Sequence, residues 1–296
     1  EVCISDNNPE ANAKEVVNKY QMEFSINYHC NKTNIGIGKN IVKSVSLARG
    51  KYIWVLGNDD LLLPYTFKVM QSLLYCENID YFYINSFNLH SKNYNLLESP
   101  IDTNKIPDDL ETFSKIKHSF KGSFFDLVDP KVSFDFMLGM FLSIVKKVKW
   151  DEGLKTLKNS DLSNLEIYST FENTCPHVKI FATSLNSSQV WFQSKPLSAN
   201  MIGEREWGSL YPFVDSIRIP EILDLYYDNG LPILKYLKCK NFALKRFLPN
   251  LFMIIFTKKT LGLKYISFRK HIFPSIFFPN IYIYPFVYLF KKIFLR

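Results

Sequence analysis

The sequence predicts an α/β protein built on an open mixed sheet with helices on both faces, followed by a basic helical extension. Two observations carry this prediction. Over residues 1–90, short apolar stretches alternate with amphipathic stretches at helical spacing, which is typical of strands joined by right-handed helical crossovers. Residues 51–57 (KYIWVLG) are apolar almost throughout, as expected of a strand buried on both faces of a parallel sheet.

Each element of this α/β region has a local signal in the sequence. Apolar residues at helical spacing indicate the first two helices, and the Gly50 that follows the second is a common helix C-terminal residue. Short apolar stretches between polar turns indicate the strands. The predicted order is strand 2–5, helix 11–20, strand 25–30, helix 39–48, strand 51–57, a helix from Pro64, and strand 80–85.

The bulk composition indicates a globular chain. Its 296 residues are 47% hydrophobic and 22% charged, enough to bury a substantial core. The five cysteines are scattered without a CxxC pair, so neither a disulfide framework nor a zinc knuckle is expected. The opening EVCISDNN has no signal-peptide pattern and begins within a strand, so we expect a preceding first strand to be missing from this sequence.

Acidic residues follow two of the predicted strands. One loop carries Asp6, and the other carries Asn58, Asp59 and Asp60. Ligands of open α/β sheets bind where such loops converge, and Mg²⁺ or Mn²⁺ prefers the oxygen ligands that these acids supply. Asp also favours turns and helix N-caps, so the acid pair alone is a weak signal. The ordered combination of SDNN, NIGIGKN and ARGKYIWVLGNDDLLLP favours a ligand-binding site over simple turn formation.

These three segments resemble a known family. Residues 4–8, residues 34–36 with Asn40, and residues 48–64 are similar to the nucleotide-binding half of family 2 glycosyltransferases of the GT-A, Rossmann-like fold. Within that family they resemble the bacterial abequosyltransferase-like group, which builds O-antigen or capsule repeats. The resemblance covers residues 1–90 well and residues 135–180 loosely.

The resemblance implies a function and a site. A sugar would pass from a nucleotide-diphosphate sugar to a saccharide or polyprenyl-linked acceptor, with inversion and with Mg²⁺ or Mn²⁺ as cofactor. It implies that Asp6 reads the nucleobase, that Asp59 lies near the ribose and phosphates, and that Asp60 binds the metal; the other nucleotide-binding candidates are Asn8, Asn34 and Gly36. Asn58 departs from the pattern, because the family often has an acid there.

Inverting transfer also needs a general base for the acceptor hydroxyl. In the resembled family an acid supplies it, shortly after a strand and an aromatic-acidic turn. Residues 141–149 would be this strand and residues 150–153 the turn, which makes Asp161, at the start of a predicted helix, the candidate. Asp161 could equally be only a helix cap. The reserve candidates are Asp151, Glu152 and His177. His177 stands ahead of a predicted apolar strand, and a lone His in that position is more often structural.

The charge divides the chain at about residue 228. Residues 229–296 hold 13 basic residues and no acid, whereas residues 1–228 have a net charge of −5. We therefore predict a transferase domain over 1–228, with its acceptor half from about residue 91, and a separate tail over 229–296.

The tail also contains 16 Phe and Tyr residues, which favours a membrane surface over nucleic acid as its partner. Residues 272–290 carry no charge, but three prolines argue against a spanning helix. We expect a peripheral protein at the cytoplasmic face of the bacterial inner membrane, with no nucleic-acid partner. A helical cap packed on the domain is the alternative for the tail, and a non-catalytic sugar-nucleotide or membrane-binding relative is the alternative for the whole chain.

Overall fold

The computed structural model describes residues 1–10, 13–75, 78–90, 97, 101–202, 208–256 and 261–294, with only the backbone for 288–294. Its strands are β1 (Val2–Asp6), β2 (Ile26–Cys30), β3 (Tyr52–Trp54), β4 (Asp60–Leu62), β5 (Tyr81–His90), β6 (Phe120–Ser123), β7 (Ser143–Lys146) and β8 (Gln189–Ile202). The helices are α1 (Ala13–Tyr20), α2 (Ile37–Leu47), α3 (Thr66–Leu74), α4 (Lys147–Leu154), α5 (Pro176–Ser184), α6 (Ile219–Asp228), α7 (Ile233–Ala243), α8 (Phe247–Phe256) and α9 (Asn280–Phe294).

The strands form two sheets. β1 and β2 pair in parallel as a two-stranded sheet. The other six form a mixed sheet in the order β3-β7-β5-β8-β4, with β6 also paired to β8. β5 and β8 are parallel, whereas β7 runs antiparallel to both β3 and β5. The predicted α/β class with a mixed sheet is therefore confirmed.

The main core lies between the central strands and the helices that cover them. The aromatic residues of β5 (Tyr81, Phe82 and Tyr83) are fully buried, and Trp150 of α4 and Phe181 of α5 pack in the same cluster. The backbones of α4 and α5 approach closely: a side chain on Gly153 would meet the Ile180 carbonyl oxygen at 2.5 Å. The packing of these helices on the central strands fixes the sheet beneath the loops that carry the candidate site.

Three local predictions were wrong. The 51–57 strand is shorter, and it pairs antiparallel with β7, not within a parallel sheet. Residues 150–153 belong to α4 instead of forming a turn, because β7 ends at Lys146 and the chain turns directly into a helix. His177 lies in α5 and not ahead of a strand.

The segment after Asp161 is also not the predicted helix, so Asp161 does not cap one. Here Asn173 donates from its side-chain amide to the carbonyls of Asn164 and Glu166, at 2.8 Å each. Arg218 likewise donates to the carbonyls of Tyr168 and Ser169. These side chains satisfy backbone acceptors that a helix would have paired internally.

The tail packs on the rest of the chain through two groups of contacts. Leu244, Phe247, Ile254 and Ile281 form a small core with Phe213 and Ile217. Leu231 and Cys239 enter the main core itself. None of the helices among the described residues combines the length and apolar character needed to cross a membrane.

A buried ion cluster joins the tail to α6. The Glu221 carboxylate accepts hydrogen bonds from Arg218, Lys270 and the His271 ring, at 2.6, 2.7 and 2.9 Å. Burial alone would raise the pKa of Glu221, but these three partners together lower it to about 2. The tail is thus a packed helical cap over much of its length, as one of the two alternatives proposed.

Candidate active site

A cavity of about 350 Å³ opens beside the carboxyl end of β3. Its wall draws on several parts of the chain: the start of α2, the turn between β3 and β4, the ends of β5 and β8, Phe113, the loop 134–141, and the residues before and within α5 and α6. Four carboxylates lie on this wall, and these are Asp59, Asp60, Asp135 and Asp215. The cavity therefore brings the two predicted acids of the β3–β4 turn together with two acids from much later in the sequence.

The β3–β4 turn holds Asp60 in a fixed position. The Gly57 backbone N–H donates to Asp60 Oδ2 at 2.7 Å, and the Asn200 side chain donates to Asp60 Oδ1 at 2.6 Å. Asn200 also stands opposite Asp60 in the β4–β8 pairing. A side chain at Gly57 would lie 2.5 Å from Asp59 Oδ1, so a larger residue there would displace the Asp59 carboxylate.

Sequence reasoning missed Asn200 and its neighbour Asn88, which also lines the cavity. Asn88 of β5 pairs with Asn200 of β8 across the parallel strands. Both are amides within otherwise apolar or buried strands, and that contrast was the signal available in the sequence. Their separation from Asp60 along the chain concealed the contact.

Asp6 lies at the end of β1, where short hydrogen bonds hold its carboxylate. Tyr28 donates to Asp6 Oδ2 at 2.9 Å, and the Asn8 N–H donates to Asp6 Oδ1 at 2.9 Å. Desolvation and the hydrogen bond to Asp6 raise the pKa of Tyr28. Asn8 in turn accepts from the Glu10 N–H. Asp6 and Asn8 thus form one ordered turn, while the cavity wall itself begins further on, at Ile37.

An asparagine network joins that turn to α2. Asn7 accepts from the Ile35 N–H at 3.0 Å and donates to Asn34, which also accepts from the Gly36 N–H at 2.9 Å. Gly36 precedes α2 with φ of +87°, a conformation that favours glycine. The structure thereby places the predicted residues Asn34 and Gly36 directly ahead of Ile37, where the cavity wall starts.

Glycine at position 38 allows α2 to approach the segment before α5. The Gly38 N–H donates to the Asn173 carbonyl at 2.9 Å, and a side chain there would meet that oxygen at 2.5 Å. Within α2, Asn40 bonds back to the Ser5 backbone and side chain. One helix therefore connects the β1 loop that carries Asp6 with the far wall of the cavity.

A strained loop supplies the second side of the cavity. Phe136 and Met137 both have positive φ, 53° and 63°, which costs free energy for residues other than glycine. Asp135 holds the loop, because its carboxylate accepts from the Ser133 hydroxyl at 2.7 Å and from the Gly139 N–H at 2.8 Å. Burial raises the pKa of Asp135, which these hydrogen bonds only partly offset. Such strain is a feature of functional loops.

His177 closes the cavity beneath this loop. Its Nε2 lies 3.2 Å from the Met137 carbonyl oxygen and 3.0 Å from that of Leu138, which fixes the proton on Nε2. Its buried Nδ1 has no hydrogen-bond partner among the described residues. Burial lowers the pKa of His177 to about 4. The ring is neutral near pH 7, and its main role in this geometry is to support the loop.

Asp161 lies outside the cavity wall. Its carboxylate is 3.5 Å from the Nζ atom of Lys179 on α5. The same lysine lies 3.7 Å from the Glu172 carboxylate. Asp151 and Glu152, the reserve candidates, pair with Lys147 and Lys149 on α4 and are likewise absent from the wall. The structure does not bring these acids together with Asp59 and Asp60. A catalytic role for Asp161 remains a prediction from the resemblance.

Asp215 is the second cavity acid that sequence reasoning missed. It lies on the π-helical turn Val214–Arg218, just before α6, in a setting that is largely apolar. Desolvation raises the pKa of Asp215 to about 6, although Arg246 and Lys245 lower it. The one signal in the sequence was an acid within the apolar stretch PFVDSI.

The oxygen ligands of this site suit one particular kind of cation binding. Among the described residues, no group of three or more His, Cys, Asp or Glu side chains could enclose a metal ion. Asp60 and Asp59 are two adjacent oxygen donors at a cavity edge. Mg²⁺ is usually held by one or two carboxylates together with substrate phosphates and water, so these residues fit an ion that a bound nucleotide completes.

Comparison with known proteins gives a family match over the first part of the chain. Residues 1–124 match the model of glycosyl transferase family 2. Abequosyltransferase RfbV of Salmonella typhimurium LT2 is 37% identical over 76 residues, which make up 25% of this chain and 23% of that protein. The uncharacterised glycosyltransferase MJ1057 of Methanocaldococcus jannaschii is 38% identical over 64 residues, 21% of this chain and 22% of that protein. The matched segments span less than a quarter of these relatives.

Solved structures extend the similarity to most of the chain. Two structures of S. aureus TarS residues 1–349, in complex with UDP and with UDP-GlcNAc, each superpose with a TM-score of 0.52 at 14% and 16% identity. They cover 87% and 89% of this chain, which spans 66% of each TarS chain. At this identity the similarity concerns the fold. Residues 1–124 match a family 2 glycosyltransferase domain, in line with the resemblance, and the predicted fold is confirmed.

Proposed function

We propose that this protein transfers a sugar from a nucleotide-diphosphate sugar to a saccharide or polyprenyl-linked saccharide during synthesis of a bacterial surface polysaccharide. The observation that carries the proposal is the position of Asp60, which Gly57 and Asn200 hold at the edge of a cavity, next to Asp59. The solved TarS complexes contain UDP and UDP-GlcNAc, which supports a nucleotide sugar as the donor. The short match to an abequosyltransferase supports the O-antigen context.

The donor and the acceptor would bind on opposite sides of the site. Asp6 and the loop around Asn34 and Gly36 would bind the nucleoside, while Asp59 lies towards the ribose and phosphates. Asp60 would hold a divalent ion, which neutralises charge on the departing diphosphate. On the other side the loop 134–141 and the residues before α6 would receive the acceptor. An inverting reaction then needs one carboxylate near the acceptor hydroxyl to take its proton.

The tail supports a location at the inner membrane surface on its cytoplasmic side. Although the tail packs on the domain, many of its aromatic and aliphatic side chains face outward. Phe252, Phe256, Phe268, Phe277 and Phe286 are each more than 60% exposed. Leu248, Phe252 and Phe256 recur at four-residue spacing on α8, so they share one helix face. Exposed aromatics beside basic residues are typical of helices that lie in a membrane interface.

A screen of nucleotide sugars by calorimetry tests this function. UDP-, GDP-, CDP- and dTDP-linked sugars are titrated into the full chain with Mn²⁺, and again with EDTA. We expect one nucleotide class to bind with Mn²⁺ and to bind at least tenfold more weakly with EDTA, since Asp60 would hold an ion that neutralises the diphosphate. No binding under either condition would refute the proposal. Binding without turnover on any saccharide or lipid-linked acceptor would favour the non-catalytic alternative, to which Asn58 gives some support.

A further inference from the structure

Four acids share the cavity wall, and three of them already have partners. Asp60 accepts from Gly57 and Asn200, and Asp135 accepts from Ser133 and Gly139. Asp59 belongs to the β3–β4 turn and has interactions of its own. Asp215 differs, because within the described part of the chain its carboxylate makes neither a hydrogen bond nor an ion pair within 4.0 Å.

The surroundings of Asp215 fix its backbone and leave its carboxylate accessible from the cavity. It is only partly buried, so a ligand in the cavity can reach it. The flanking Val214 and Ser216 are buried, which fixes the backbone of the π-helical turn. π-helical turns are rare and occur frequently at functional sites. The charged groups near Asp215 are Arg246 and Lys245 from the tail and Asp135 from the strained loop.

We propose that Asp215 is the base that takes the proton from the acceptor hydroxyl. This inference rests on the proposed function and names the group that completes it. In the transfer, the acceptor oxygen forms a bond to the anomeric carbon, and the bond from that carbon to the phosphate oxygen breaks. The electron pair leaves with the nucleoside diphosphate, and the acceptor proton passes to the Asp215 carboxylate. No further reactant is needed.

The electrostatics suit this role. A base works best when its pKa lies near the working pH, and the partly buried Asp215 has a pKa of about 6. Asp135, which is held more tightly and is almost fully buried, contributes to that rise. Asp161 has an ion pair with Lys179 and does not line the cavity. The resemblance and the geometry therefore assign the proton to different acids, and they make opposite predictions.

Paired asparagine variants in the full chain decide between the two acids. With the donor identified by the screen, we expect Asp215→Asn to lower kcat by a factor on the order of 10² or more, while donor affinity measured by calorimetry is unchanged. The wild-type kcat/KM should fall as the pH drops below about 6, where Asp215 gains a proton, and this fall should be absent in the residual activity of Asp215→Asn. Asp228→Asn is the matched control, since Asp228 is exposed at the end of α6 and should keep full activity.

Folding can be checked in the same variants. The native state holds the Asp215 proton more tightly than the unfolded state does, so stability falls as pH rises from about 4 to about 6. Asp215→Asn removes that fall, and its thermal midpoint at pH 8 should equal or exceed that of the wild type. A normal rate in Asp215→Asn, or a loss of rate that leaves the acid limb of the pH profile in place, would overturn the inference. If Asp161→Asn loses the rate and the limb instead, the resemblance is right. If the wild type binds no nucleotide sugar in the screen, the proposed function itself is refuted.

Discussion

Asp60→Ala is expected to abolish sugar transfer and to remove the dependence of nucleotide binding on Mn²⁺. Asp60 is fixed by Gly57 and Asn200 at the cavity edge, so its carboxylate is already oriented before a ligand arrives. Alanine removes the charge that would hold the ion against the diphosphate, and a missing metal contact costs several kcal/mol of transition-state stabilisation. The expected loss of turnover is on the order of 10³-fold or more.

Calorimetry and a thermal melt separate this effect from misfolding. The variant also loses the hydrogen bonds that Gly57 and Asn200 donate to Asp60, and a hydrogen bond to a charged group contributes about 1.5–3 kcal/mol to stability. A fall of several degrees in the thermal midpoint is therefore expected, with the fold retained. Asp102→Ala is a suitable control, because Asp102 is exposed and, within the described part of the chain, its carboxylate accepts hydrogen bonds from Asn104 alone. Equal nucleotide affinity in Asp60→Ala and wild type, with and without EDTA, would contradict the metal assignment.

The candidates for the nucleotide side of the site could be proposed from the sequence because they lie in short local patterns. Asp6, Asn34, Gly36, Asp59 and Asp60 all follow strands or precede a helix within the first 60 residues. Turn chemistry and strand ends are local properties, and the loops converge once the strands are correctly recognised. The predicted glycosyltransferase fold followed from the same region.

The contacts that hold the site together could not be predicted in this way, since long-range pairing builds them. Asn200 reaches Asp60 across 140 residues through the antiparallel β4–β8 pair. A buried apolar strand looks the same whether its neighbour is parallel or antiparallel, so the 51–57 segment gave no sign of its partner β7. The periodicity near Asp161 was also misleading: Leu165 is 59% exposed, and there is no buried helix face.

Some basic residues of the tail pair with acids of the preceding region and so contribute less to binding an outside partner. The basic character of the tail suggested a segment separate from the domain, yet Lys238, Lys264 and Lys270 pair with Asp129, Glu166 and Glu221 of the preceding region. The charge available to an outside partner is therefore smaller than thirteen basic residues imply. Because Leu231 and Cys239 belong to the main core, removing the tail after Asp228 would expose that core. Point substitutions in the full chain are the better test.

The full chain is expected to sediment with vesicles that contain phosphatidylglycerol and to be only partly released by high salt. Each basic residue near an anionic surface contributes about 1 kcal/mol, and salt screens this attraction. The aromatic side chains that enter the interface contribute a remainder that salt does not screen. Since several lysines are already paired within the protein, the salt-resistant remainder should be the larger part. Vesicles of phosphatidylcholine alone should therefore still bind, but more weakly.

Two outward aromatic residues of α8 allow this expectation to be tested sharply. Phe252 and Phe256 are 64% and 68% exposed, and their ring centroids are 4.4 Å apart. Burying an aromatic ring in an apolar phase contributes about 2 kcal/mol, so the double change to Glu should weaken vesicle binding on the order of 10²-fold or more. The matched control is provided by Phe67 of α3 and by Tyr75 directly after that helix, which are 71% and 78% exposed. Their double change to Glu removes the same kind of surface from another part of the protein and should leave binding intact.

Three outcomes would contradict the membrane assignment. The wild type could ignore acidic vesicles altogether, which would leave the tail as a packed cap alone. Both double variants could lose binding equally, in which case α8 has no special part in it. The chain could instead bind single-stranded nucleic acid tightly with a steep salt dependence, the behaviour expected when basic residues neutralise phosphates. Loss of vesicle binding in the α8 variant alone, with an unchanged thermal midpoint, places the membrane contact on the exposed face of Leu248, Phe252 and Phe256.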